Sequence, residues 1–86
     1  GFELMQNKPN PFNGVTTITF RLPEVSFATI TVTDMTGKVL QVINGQYQKG
    51  ENTITLNTAE LNASGVLMYR IDSGRYTDTK KMIVIE

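Results

Sequence analysis

Few side chains in this sequence could do chemistry, and their types exclude most reactions before any fold is considered. The 86-residue chain has no histidine and no cysteine, so the usual general bases, thiol nucleophiles and transition-metal ligands are missing. Catalysis would have to rest on carboxylates, among them Glu24, Asp34, Glu51, Glu60, Asp72 and Asp78. These fall in turn-like or strand-end contexts where carboxylates are ordinarily solvated, and spacing sets no pair of them on a common cleft. We read no catalytic residue and no cofactor site. The stretch Asn7 to Asn13 could offer backbone carbonyls to calcium, but no Asp-x-Asp-x-Asp pattern accompanies it. Gly45, Gly50, Gly65 and Gly74 stand singly, without a phosphate-cradling cluster. Lys80 and Lys81 could meet an anion, although lysines at such positions also guard strand edges against unwanted pairing.

The elements that must position these residues are strands. Valine, isoleucine and threonine dominate the sequence, and branched side chains favour pleated surfaces. Eight basic and eight acidic residues cancel, and no basic run could neutralise several phosphates, so nucleic acid is not an expected partner. No apolar run approaches the roughly 20 residues that span a bilayer, and the first residues do not form a signal peptide. The length fits one domain, residues 1–86, with one compact core.

A period of two recurs along the chain. In the lead-in Gln6 to Asn13, Pro9 and Pro11 fix φ and keep Lys8 and Asn10 out of the α region. Phe12 closes this rigid segment. A short edge strand is expected at Leu4-Met5. In Val15 to Leu22, Ile18, Phe20 and Leu22 share one face while Thr17, Thr19 and Arg21 share the other. Phe27 to Thr33 presents Ala28, Ile30 and Val32 inward. Asp34-Met35-Thr36-Gly37 has the acceptor and the glycine of a tight turn, and Lys38 to Ile43 returns from it. Asn44-Gly45 reads as another turn, Gln46 to Gln48 as a short strand, and Lys49 to Asn52 as a turn before Thr53 to Leu56. Thr58 can cap a helical turn anchored by Leu61. Val66 to Asp72 places Leu67, Tyr69 and Ile71 on one face. The last strand, Tyr76 to Ile85, is apolar on both faces near its end. The spacing describes an all-β, immunoglobulin-like antiparallel β-sandwich of about seven strands, with a small barrel as the other closure.

Several segments in order then resemble a known family. They are Asn7-Lys8-Pro9-Asn10-Pro11-Phe12-Asn13, the strand Thr16 to Pro23, the hairpin Val32 to Val39 with Asp34 and Gly37, Leu61 to Val66, and Thr79 to Val84. Together they resemble the type A C-terminal sorting domain of the type IX (Por) secretion system. Leu67 stands where that family usually has tyrosine, which is displaced to Tyr69, and the chain stops at Glu86 rather than at a basic residue.

The resemblance implies a non-catalytic sorting signal at the C-terminus of a longer exported protein. It further implies passage through the periplasm to the outer-membrane surface or the medium, an N-terminal cargo domain, and recognition by the translocon and a sortase-like peptidase. The recognition residues expected on this basis are Gly65, Val66, Leu67 and Tyr69 with Lys80, Lys81, Met82, Ile83, Val84 and Ile85. An exposed last strand could be read by strand addition, and could also self-associate. Other readings of the same sandwich are a flagellar hook-cap scaffold, an accessory domain, and a carbohydrate-binding or adhesion module. The last would require exposed aromatics, and Phe2, Phe12, Phe27, Tyr47, Tyr69 and Tyr76 are scattered.

Overall fold

The computed structural model describes residues Gly1–Glu86. Alternation produces seven strands and one short helix, with 63% of residues in strands. The strands are β1 (Glu3–Leu4), β2 (Val15–Leu22), β3 (Ser26–Asp34), β4 (Val39–Tyr47), β5 (Gly50–Asn57), β6 (Gly65–Asp72) and β7 (Thr77–Val84). The helix is α1 (Thr58–Leu61). One sheet has the order β1-β2-β5 and the other β4-β3-β6-β7, and every pairing is antiparallel. The fold is the expected immunoglobulin-like sandwich.

The core is the set of inward positions. Ile18, Phe20, Leu22 and Leu56 from one sheet meet Ala28, Ile30, Val32, Leu67, Tyr69, Ile71, Met82 and Val84 from the other. Leu4, Phe12 and Leu61 close its margins. The ambiguity of the last strand is settled by register: Met82 and Val84 turn inward, whereas Ile83 and Ile85 are exposed. Phe12, counted above among the scattered aromatics, is a core residue, and Tyr69 lies in the core on the face it shares with Leu67 and Ile71.

Several boundaries differ from expectation. Asn44-Gly45 is not a turn, because β4 runs straight through it to Tyr47, absorbing the separate strand placed at Gln46 to Gln48. Gly45 serves close approach instead: a Cβ there would sit 3.3 Å from the Tyr47 ring, which lies edge-on to Phe20 with centroids 5.0 Å apart. β5 accordingly starts at Gly50, inside the stretch read as a turn. Asn57, not Thr58, caps α1, accepting the Ala59 amide at 3.0 Å. The first strand sits one residue earlier than expected, and the last is shorter at both ends.

Candidate recognition surface

The lead-in is tied down along its whole length. The Lys8 amide donates to the Thr17 carbonyl (2.9 Å), and the Thr17 amide donates back to Lys8 (2.8 Å). Asn7, only 1% exposed, sends its amide to Tyr69 Oη (2.9 Å), and that hydroxyl donates to the Met5 carbonyl (2.8 Å). The Asn7 side-chain nitrogen donates to Thr16 Oγ1 (3.0 Å) and to the Pro9 carbonyl (3.2 Å). Thr16 Oγ1 also donates to Pro9 (2.8 Å). Buried polar groups without partners cost free energy, so this network fixes the loop. The Tyr69 hydroxyl is pushed up to about 12, chiefly by burial and further by the Asp78 charge, with the Asn7 amide opposing.

The same loop closes the outer edge of β7. Phe12 bridges Val84 in parallel fashion: its amide donates to the Ile83 carbonyl (3.0 Å), and the Ile85 amide donates to the Phe12 carbonyl (2.9 Å). The Ile83 amide donates to Asn10 Oδ1 (2.8 Å), and Gln6 Nε2 donates to the Lys81 carbonyl (2.6 Å). The expectation of an open last strand is corrected here, because residues 81–85 already have main-chain and side-chain partners on that edge. The carbonyls of Lys8, Pro9 and Phe12 all accept protein donors. Pro9, Asn10 and Pro11 are exposed on top of this tie.

Register divides the sequence-predicted residues into two groups. Leu67, Tyr69, Met82 and Val84 lie in the core. Val66 stands opposite Ile83, and Met68 opposite Lys81, on the outer face of the four-stranded sheet. Val66 is 42% exposed, Ile83 39% and Ile85 50%; Gly65 and Lys81 are also exposed, and Lys80 is half-buried opposite Tyr69. The structure thus brings Val66, Lys81, Ile83 and Ile85 onto one surface bounded by the lead-in, with Gly65 opposite Val84 at its end and Lys80 on the other face of β7. At the far end of β3, Asp34 Oδ1 accepts from the Thr36 amide (2.8 Å), Thr36 Oγ1 (2.6 Å) and the Lys38 amide (3.0 Å). The Thr36 hydroxyl and these amides lower its pKa, and Gly37 supplies a φ of 93°. Asp34 and Gly37 are turn residues; Asp34 pairs with Leu67, one strand away from β7 across β6.

The hydrogen-bonding roles of three residues, Gln6, Asn7 and Thr16, escaped the sequence reading. Thr16 was legible by alternation, since it shares parity with Ile18 and Phe20. Gln6 and Asn7 carried no such signal, because their partners lie on β7 and β6 in a register that the sequence does not state.

The comparisons bear on this geometry. A family model described as "Secretion system C-terminal sorting domain" matches residues 9–85, which include the Pro-Asn-Pro-Phe lead-in and the strand it closes. The chain belongs to this family of type IX secretion sorting domains. Membership supports a sorting role in type IX secretion, in a family that is non-catalytic, and export to the cell surface or outside. Among solved structures, the chain resembles PorZ, a surface component of the type IX secretion system of Porphyromonas gingivalis. The likeness has TM-score 0.60 and 22% identity over 100% of this chain and 12% of that one, and it speaks to the fold. A β-glucosidase from Listeria innocua gives TM-scores of 0.47 and 0.49 at 16% identity, over 98% of this sorting domain and 16% of the enzyme. The sorting domain therefore spans a small fraction of each of these structures. No curated protein matches it.

Proposed function

We propose that residues 1–86 form the C-terminal unit of a longer exported protein. The domain is read by the type IX translocon and by a sortase-like peptidase as its cargo crosses the outer membrane from the periplasm. The domain does no chemistry of its own. Val66, Lys81, Ile83 and Ile85 are the reading surface, with Gly65 at its end; Lys80, opposite Tyr69, leaves β7 on the other face. Leu67, Tyr69, Met82 and Val84 act from beneath by fixing the register that displays it. The observation that carries this reading is the pairing of exposed Val66 with exposed Ile83, while their chain neighbours Leu67, Met82 and Val84 are locked in the core. An exposed apolar pair beside a lysine, on a strand whose edge is already filled, presents side chains rather than main chain to a partner.

Truncating the strand would remove Met82 and Val84 and unfold the sandwich, so the test uses outward residues. The triple variant Lys81→Glu, Ile83→Ser, Ile85→Ser should keep the wild-type circular dichroism spectrum and melting temperature, yet leave cargo in the periplasm. Wild-type surface delivery by a folded triple variant would overturn the assignment of this surface.

A further inference from the structure

The two sheets have four outer edges, and they are not equally protected. β1 has two residues, too short to template another strand. β7 is closed by the lead-in over residues 81–85, and Asp78 Oδ1 accepts the Thr79 amide nearer its start (2.8 Å). β5 carries the charged Glu51, engaged by Arg21 at 3.3 Å, and leads directly into α1. β4 differs from all of these: its nine residues, Val-Leu-Gln-Val-Ile-Asn-Gly-Gln-Tyr, include no charge and no proline. Natural sheets blunt such edges with charge, proline, bulges or covering segments, because an unprotected row of N–H and C=O groups pairs with any compatible strand.

The direction of the free groups follows from register. The Asp34 amide donates across to Lys38 on the side of β4, so alternate β3 residues Val32, Ile30 and Ala28 turn their backbone groups toward β4. Their partners are Gln41, Ile43 and Gly45, and these spend their backbone groups on β3. The groups of Val42, Asn44 and Gln46 therefore point away from the sheet, and all three residues are exposed. A register shift between Val32 and Thr33 interrupts the pairing nearer Val39, and α1 packs against β4 and β5. Open edge remains from Val42 to Gln46.

We propose that this edge pairs with the same edge of a second copy of the chain, extending the four-stranded sheet across a twofold axis. Antiparallel pairing centred on Asn44 sets Val42 opposite Gln46 of the copy and Asn44 opposite its equivalent, with each residue using both backbone groups. The interface is isologous and contains no charge, so neither like-charge contact nor an unpaired buried ion opposes it. A charged partner strand would bring desolvated charges to a row that offers none in return. The net charge of zero adds no long-range repulsion between copies.

A single strand pairing is a small interface, so association is expected to be weak and visible at roughly millimolar protein. Sedimentation equilibrium of the 86-residue chain should show the weight-average mass rising toward that of two chains. Amide-resonance shifts on concentration should centre on Val42, Asn44 and Gln46. The variant Val42→Lys, Gln46→Lys should remain a monomer at the same concentration with an unchanged melting temperature. A wild-type chain that stays monomeric, a dimer that persists in the double-lysine variant, or shifts centred on β7 would each overturn the proposal.

Discussion

Tyr69 joins two parts of the chain that sequence distance keeps far apart. Its ring fills the core of β6 as alternation predicts, but its hydroxyl accepts from Asn7 and donates to Met5, more than sixty positions away in a register that no local pattern encodes. Tyr69→Phe keeps the ring and leaves a buried amide and a carbonyl without partners, so urea unfolding should show a loss of roughly 1–3 kcal/mol. The same hydroxyl predicts a pH dependence. The unfolded tyrosine loses its proton near 10.0, whereas the folded one holds it to about 12. Between those values the unfolded state binds fewer protons, so stability is full below pH 10.0 and falls as pH rises toward 12. The fall attributable to this residue is roughly 2–3 kcal/mol, and it should disappear from the difference between wild type and Tyr69→Phe. An unchanged alkaline slope in the variant would contradict the buried hydroxyl. Asp34, by contrast, was legible at once, because aspartate before a glycine turn needs only local geometry to find its amides.

At the scale of elements, alternation located inward residues well and ends of strands poorly. Ile18, Phe20, Leu22, Ala28, Ile30, Val32, Leu67, Tyr69 and Ile71 all face the core as read. The Asn44-Gly45 turn failed because glycine has two uses: it bends backbone, and it makes room for a neighbour, here Tyr47. The relation of the lead-in to β7 was also hidden. Prolines announced a rigid segment, but only the fold shows that it acts as the neighbour that β7 lacks. Phe12 is the anchor of that segment, 2% exposed, with main-chain bonds to Ile83 and Ile85 on either side. Phe12→Ala should cost about 3–5 kcal/mol by thermal or urea unfolding. It should also speed hydrogen exchange of the Ile83 and Ile85 amides more than that of Ile30 or Ile71. Uniform acceleration across the sandwich would contradict a local clamp on the last strand.

The whole molecule is a small sandwich whose start and finish are fastened to each other. The lead-in holds β7, β7 displays Val66's partner Ile83, and the resulting surface lies on a sheet whose opposite edge is the uncharged β4. Loss of the lead-in and loss of the last strand should therefore damage the same surface. Family membership was legible in part because the first and last of its motifs are the residues of this fastening: Pro9, Asn10, Pro11 and Phe12 at one end, Thr79 to Val84 at the other. The division of those residues into a hidden and a displayed set was not, since it depends on three-dimensional register. The central claim is that the 86 residues are sufficient as a sorting signal. The direct measurement is to fuse them to the C-terminus of a fluorescent reporter exported to the periplasm of a bacterium with type IX secretion, and to assay surface and medium. The account predicts reporter outside the wild-type cell and reporter held in the periplasm of a translocon-deficient strain; retention in both strains would contradict it.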